Sequence, residues 1–334
     1  MAEIIETNFD RHLNYKVSAL RATGRPNVEH LIRDFYVIGV ISNPVRYTKR
    51  YELFYQWLDH MYNSGVNVLI VEAQQGERSF VLTEEDNPLH VQLRTVEELW
   101  AKENMVNIGF RALPKNWKYA AWIDCDVEFL NDFWVEETIH KLQDAKIVQL
   151  FRNAVDLGPK GEVLSVHNGF IWCLKTGQKP GLGYSYFHPG FAWAIERQAY
   201  SDIGGLIDFC ILGSGDRYIA LAISNKLEDI KGHLKGASPS YIAKVMAWAE
   251  RAFKAIKLDI DYVEGTIAHY FHGTKLNRGY TNRNKILIDS QFDPQAHLFR
   301  DEQGLYRLEE DEIILRDAIR KYFRSRNEDQ NTCE

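Results

Sequence analysis

Apolar and polar positions along this chain change period in blocks. FYVIGVIS (35–42) is a short run rich in β-branched residues and closed by Asn43-Pro44, the pattern of a strand buried on both faces. KRYELFYQWLDHMYNSG (49–65) spaces its apolar and aromatic residues at helical intervals and stops at Gly65, and VNVLIVEA (66–73) is a second apolar run. After a loop containing Pro88, a helix is predicted over 96–113. YAAWIDCDVEF (119–129) reads as a strand that turns acidic at its end; a helix over 134–143 and a strand at AKIVQLF (145–151) follow. This alternation predicts an α/β fold with a mixed, mostly parallel sheet flanked by helices, and ligands in such sheets sit beyond the carboxyl ends of the strands.

The second half is less regular. Residues 187–223 mix Gly-rich turns with two helical stretches, 238–257 form an amphipathic helix rich in Ala and Lys, and 258–280 are strand-like and then basic. A last helix is predicted over 309–324, before a polar tail, NEDQNTCE, expected to be disordered. The expected organisation is an N-terminal extension (1–33), one α/β domain (34–300) and a C-terminal helix with its tail (301–334). Within the domain, 34–150 form a first half and 151–300 a second, which includes a basic helical segment at 226–257.

A chain of 334 residues is ample for one large buried core. The net charge of −6 excludes a protein whose whole surface attracts nucleic acid. Residues 226–285 nevertheless carry eleven Lys/Arg against six Asp/Glu, which reads either as a local anion-binding face or as a solvated helix surface. The four cysteines form no CxxC and no disulfide-framework spacing. The first residues have neither a basic n-region nor an apolar h-region, no run of about 18 apolar residues exists, and no Asn-x-Ser/Thr sequon occurs. These features together point to a reducing cytoplasm.

The strongest local signal is Asp124-Cys125-Asp126 at the end of an apolar strand. Carboxylates at i and i+2 of a strand lie about 6–7 Å apart at the backbone and can converge on one hard cation. A divalent ion there bridges the phosphates of a sugar nucleotide and neutralises charge on the departing diphosphate. An ATPase reading needs a phosphate loop, and no GxxxxGK[ST] is present; GLGYSY (181–186) and GSGDRY (213–218) lack the spacing of a dinucleotide fingerprint.

Several segments, in order, resemble the beta-1,4-galactosyltransferase-like branch of the GT-A glycosyltransferases. Asn43-Pro44-Val45-Arg46-Tyr47-Thr48-Lys49-Arg50 resembles that family's Pro-Phe-Arg-x-Arg donor loop, and Asn104-Met105-Val106-Asn107-Ile108-Gly109-Phe110 its Lys-Leu-Leu-Asn-Val-Gly-Phe helix. After the acidic strand, His188-Pro189-Gly190-Phe191-Ala192-Trp193 and Gly204-Gly205-Leu206 resemble the glycine-bearing acceptor segment. Leu212-Gly213-Ser214-Gly215-Asp216 stands where the family carries Trp-Gly-Gly-Glu-Asp, and His272-Gly273-Thr274-Lys275 where a metal-binding His occurs. The likeness covers roughly residues 36–285.

The resemblance implies a GT-A fold and transfer from a nucleotide sugar, UDP-sugar first, with Mn²⁺ or Mg²⁺. It implies donor contacts at Pro44, Arg46, Glu72, Asn107 and Asp124, and metal ligands at Asp126 and His272 with Asp124 beside them. Acceptor contacts fall on His188, Gly190, Trp193 and Gly215, and Asp216 becomes the general base of an inverting transfer. Each position also has a plainer role: Arg46 as a surface loop charge, Glu72 as a strand-end cap, Trp193 as core, Asp216 as a helix N-cap. His269 competes with His272. Because i and i+3 on a strand face opposite ways, only one is expected to reach the metal, and the turn residue Gly273 favours His272. Two positions depart from the family: Arg217 replaces its second acid and Asn104 its lysine. The family is usually anchored in the secretory pathway, so a chain with no visible anchor points to a bacterial or viral cytoplasmic relative. The expected acceptor is a glycan or lipid-linked sugar, with a modified base of viral DNA as an alternative. A sugar-phosphate nucleotidyltransferase and a non-catalytic carbohydrate-binding relative remain as rivals.

Overall fold

The computed structural model describes residues 33–179, 187–274, 277–279 and 283–330. The extension expected at the N-terminus, except Arg33, lies outside them, as do GLGYSY (181–186) and Lys275.

The first half follows the predicted alternation. Strand β1 is Phe35–Ser42, helix α1 Thr48–Asn63, β2 Asn67–Gln75, β3 His90–Thr95, α2 Lys102–Ala112 and β4 Tyr119–Ile123. After β4 come β5 (Val127–Phe129), α3 (Trp134–Lys141), β6 (Ile147–Gln149), β7 (Asn153–Leu157), β8 (Val163–Asn168) and α4 (Phe170–Thr176). The second half holds β9 (Ala192–Glu196), α5 (Arg197–Ile203), α6 (Gly215–Ile223), α7 (Leu227–His233), α8 (Pro239–Ile256), β10 (Ile260–Tyr262) and β11 (Thr266–His269). The chain then forms α9 (Asn284–Asp289), a hairpin of β12 (Leu298–Arg300) and β13 (Tyr306–Leu308), and α10 (Ile313–Ser325).

The large sheet has the order β10-β6-β9-β4-β1-β2-β3. Its pairings are parallel except those of β9, which runs antiparallel between β4 and β6. Apolar side chains on both faces explain why β1, β2 and β4 read as continuous runs. Ile38, Leu69 and Trp122 point into a core with α2, α5, α6, α8 and α10, while Val37, Ile70 and Ala121 point into a second core with α1 and α3. Each fully buried side chain of the size of Leu69 or Ile70 contributes roughly 1.5–3 kcal/mol.

The acidic strand predicted over 119–129 is two strands. β4 ends at Ile123, the chain turns through Asp124-Cys125-Asp126, and β5 enters a four-stranded sheet of order β5-β11-β7-β8. Val127 and Phe129 are drawn there by the second core, at 1% and 3% exposure, while the amide of Asp124 donates to Phe191 O at 2.7 Å. The turn therefore bridges two sheets at the carboxyl end of β4. No helix among the described residues is long and apolar enough to cross a membrane.

Residues 327–330 of the tail are held by specific contacts, and 331–334 lie outside the described residues. Asp329 accepts from the amides of Thr48 and Lys49 at 3.1 and 2.9 Å, capping the free N–H groups at the start of α1. Tyr47 Oη donates to Phe323 O at 3.1 Å, and Glu328 is 1% exposed. The polar composition that suggested disorder supplies the partners for a buried polar seam.

Candidate active site

The pairing of β11 with β5 sets His269 opposite Val127, beside the acidic turn, and Tyr270 N donates to Asp126 O at 2.9 Å. One ligand atom from each of Asp126, His269 and His272 lies within 4.8 Å of the others. His272 Nε2 is 2.8 Å from Asp126 Oδ2, and His269 Nε2 is 3.7 Å from it. Both histidines reach the carboxylate, contrary to the expectation from strand alternation. β11 ends at His269, so the period of two no longer applies at His272.

The other oxygen, Asp126 Oδ1, is buried with no hydrogen-bond partner, the kind of atom a cation satisfies. Two imidazoles and a carboxylate with an orphan oxygen fit a divalent ion. His269 is further fixed by Asp156 Oδ1, 2.8 Å from its Nδ1, which leaves Nε2 toward Asp126. Asp156 Oδ2 accepts in turn from Ser165 Oγ at 2.7 Å and faces His167 Nε2 at 2.6 Å. Burial pushes the His269 pKa down, but Asp126 and Asp156 outweigh it and hold the pKa above its ordinary value. Burial raises the Asp126 carboxyl, and the two histidines overcome that to hold it well below its usual range.

Asp124 turns elsewhere. Its carboxylate pairs with Lys102, at the start of α2, and is not among the three clustered ligands. The i, i+2 convergence read from the sequence needs an extended strand, and the backbone turns here instead. Burial raises the Asp124 pKa against the pull of Lys102, with Asp126 adding to the rise.

Beside the cluster lies a cavity of about 170 Å³. Val40, Pro44, Phe54, Leu99 and Met105 give it apolar walls; Asp124, Asp126, His272, Lys102 and Arg50 form its polar end. The C-terminal segment closes it with Phe323, Arg326 and Glu328. Glu328 accepts from Arg50 at both oxygens, Nε to Oε2 at 2.5 Å and Nη2 to Oε1 at 2.7 Å. Arg326 Nε lies 2.8 Å from Oε1, and His272 Nδ1 3.7 Å from Oε2.

The segments around Gly190 and Asp216 meet on the other side. Gly190 and Asp216 are so close that a Cβ at 190 would stand 2.5 Å from Asp216 Oδ2, and His188 Cε1 is 3.3 Å from the same point. His188 stacks on Phe191, ring centroids 3.7 Å apart, and Phe191 packs against His269 at 4.8 Å. Asp216 is thus joined to the metal cluster through His188 and Phe191. The N-cap of α6 is Ser214, so Asp216 lies inside the first turn and accepts from Arg217 N at 2.7 Å. Three non-glycine residues here hold positive φ: Arg46 (64°), Phe191 (72°) and Ser214 (80°). Such strain costs about 1–3 kcal/mol each and collects at functional sites. Gly215 makes room for Glu103, which a Cβ would approach to 2.6 Å. Burial, reinforced by Asp216 against Lys102, raises the Glu103 pKa to about 7.

Four residues named from the sequence have other work in this fold. Glu72 is fully buried and accepts from Gln74 Nε2, Val81 N, Leu82 N and Thr83 Oγ1, so it organises the loop after β2. Asn107 pins α2 to the Gly205-Leu206 turn, exchanging hydrogen bonds with Leu206 at 2.9 Å each. Trp193 is 1% exposed and donates to Pro189 O, which makes it core. Arg46 is exposed and does not line the cavity; Arg50, four residues on, does. Pro44 lines the cavity. Lys102, Glu103, Arg50 and Glu328 were not singled out as site residues. The predicted helix over 96–113 put Lys102 in its second turn, whereas the helix begins at Lys102.

No protein-family model matches the chain, and no curated protein matches it. Among solved structures it is similar to the catalytic domain of Drosophila beta1,4-galactosyltransferase 7 in complex with xylobiose, at 16% identity and a TM-score of 0.33, over 57% of this chain and 60% of that one. It is also similar to S. aureus TarS (7% identity, 58% of this chain, 55% of that chain, TM-score 0.36). A third is the inositol-1-phosphate CTP transferase of T. maritima (10% identity, 71% and 88%, TM-score 0.29). The chain spans about three fifths of the galactosyltransferase domain's length.

Proposed function

We propose that this chain is a metal-dependent GT-A glycosyltransferase that moves a sugar from a nucleoside diphosphate, UDP first, to an acceptor hydroxyl. The observation that carries this reading is the cluster of Asp126, His269 and His272, with its orphan oxygen, at the polar end of an apolar-walled cavity. A divalent cation bound there supplies Lewis acidity to the leaving diphosphate. Two imidazole donors favour Mn²⁺ over Mg²⁺, which prefers all-oxygen shells. The apolar walls exclude water from the reacting bond, and Lys102, held by Asp124, offers a further positive charge at the same end. Asp216, under Gly190 and beside His188, takes the proton of the attacking hydroxyl. The acceptor oxygen bonds to the sugar carbon, the bond from that carbon to the phosphate oxygen breaks, and nucleoside diphosphate leaves with the electron pair, inverting the centre.

The test is thermal denaturation with UDP-sugars, with and without Mn²⁺, followed by product analysis. A donor that binds only the folded state raises Tm by mass action. The expected result is a Mn²⁺-dependent rise that Asp126→Ala abolishes, with free nucleoside diphosphate as product. Release of pyrophosphate would assign nucleotidyl transfer instead, and donor binding untouched by Asp126→Ala would assign a carbohydrate-binding protein.

A further inference from the structure

The buried carboxylate of Glu328 has no part in the chemistry above, yet it occupies the polar end of the cavity. Two guanidiniums from opposite ends of the chain converge on it. Arg50, in the first turn of α1, forks onto both oxygens and also donates to Ser42 O at 2.6 Å. Arg326, just beyond α10, lies against one of those oxygens and over the ring of Trp100 at 5.6 Å. Arg50 thus forks onto the carboxylate, while Arg326 Nε, 2.8 Å from Oε1, is buried without a hydrogen-bond partner; guanidiniums converging on one anion are a geometry by which proteins hold phosphate. Only the His272 ring separates this carboxylate from Asp126, with its Nδ1 3.7 Å from Glu328 and its Nε2 2.8 Å from Asp126.

We propose that Arg50 and Arg326 form a phosphate-binding subsite, and that Glu328 fills it as an internal anion which a donor's diphosphate displaces. The proposal rests on the reading of the cavity as a nucleoside-diphosphate site. It adds that the C-terminal segment competes with the donor. A cluster of two arginines and one carboxylate keeps a net positive charge after internal pairing. An anion with more charge than a carboxylate is therefore the better occupant, and a buried guanidinium cannot be left without one. Glu328 arrives on residues 327–330, whose other anchors are a few hydrogen bonds: Asp329 accepts from the amides of Thr48 and Lys49, Asn327 N donates to Tyr47 Oη at 3.1 Å, and Gln330 accepts from Asn277 Nδ2 at 2.9 Å. None of residues 327–330 belongs to either apolar core, so displacement exchanges hydrogen bonds rather than core packing.

The experiment is calorimetric titration of inorganic pyrophosphate, in EDTA so that the metal cluster is silent. Glu328→Ala and Glu328→Gln are each expected to bind pyrophosphate at least tenfold more tightly than the native chain, and adding Arg50→Ala to either is expected to remove the gain. Equal or weaker binding by the Glu328 variants would overturn the proposal and leave Glu328 as a structural partner. Should the alanine variant fail to fold, the glutamine variant, which keeps the shape, gives the same readout. In the native chain, saturating pyrophosphate is expected to speed hydrogen exchange of the amides at 327–330; unchanged or slower exchange counts against displacement. Pyrophosphate carries neither sugar nor base. A tightened site in a chain without transferase activity would therefore keep the subsite and discard the proposed function, and the converse pair of results would do the reverse.

Discussion

Four carboxylates crowd around the turn after β4 and the start of α2, and their partners differ. Asp124 pairs with Lys102, Asp126 with two imidazoles, Asp216 accepts from a backbone amide, and Glu103 accepts from the indole N–H of Trp100 at 3.2 Å with Lys102 nearby. Because burial holds Glu103 near pH 7 in the fold against an ordinary value of 4.5, the folded chain keeps a proton that the unfolded chain has lost. Stability is therefore full below about pH 4.5, falls as pH rises toward about 7 and stays low above it, by ~3 kcal/mol for this group. Urea denaturation at pH 5 and pH 8 is expected to show a smaller loss for Glu103→Gln than for the native chain. Asp156 acts on the cluster indirectly: Asp156→Ala, which removes the acceptor for His269 Nδ1, is expected to weaken Mn²⁺ affinity about 10–100-fold in a direct titration while leaving His272 in place. Asp126 and His272, each singled out from a motif, are brought together by the fold, and Asp216, singled out likewise, lies against Gly190. His269 was set aside because strand alternation was carried one turn past the strand's end. Arg50 and Glu328 were missed because they lie 278 positions apart in the chain.

Among the elements, those with a single clear period were legible and those without one were not. β1, α1, β2, α2, β4, α3, β6, α8 and α10 fall close to their predicted places. β9 was absorbed into a stretch read as turns and helices, since AWAIE is five residues long and framed by glycine and a helix; yet it is the antiparallel strand that carries the His188–Trp193 segment into the sheet. β7 and β8 alternate too weakly to show, with β8 largely exposed. The closest fit between elements is that of β1 against α1. Gly39 lies under Trp57, and a Cβ there would come within 2.5 Å of the indole. Gly39→Ala must therefore push α1 outward, and with it Arg50 on the cavity side. The expected cost is about 1–3 kcal/mol of stability by chemical denaturation, with weaker donor binding as a second effect.

At the scale of the whole molecule the question is which acceptor the charge distribution can serve. The stretch 226–285 has five more basic than acidic residues, a surplus that suggested a polyanion-binding face. In the fold much of that surplus is already engaged. Arg251 donates to Ile203 O, Arg283 to Ser214 Oγ, and Arg278 reaches His272; Lys231 pairs with Glu228 and Lys285 with Asp289. These five cations, on several elements, are committed to a carbonyl, a hydroxyl, an imidazole and neighbouring acids. A DNA acceptor held by six to ten phosphates would lose affinity by about 10³–10⁵ between 50 and 200 mM salt, because bound counterions are released on association. A neutral glycan would not. Initial rates measured at subsaturating acceptor are therefore expected to change less than about tenfold over that range, and a loss of several decades would return the modified DNA base as the acceptor.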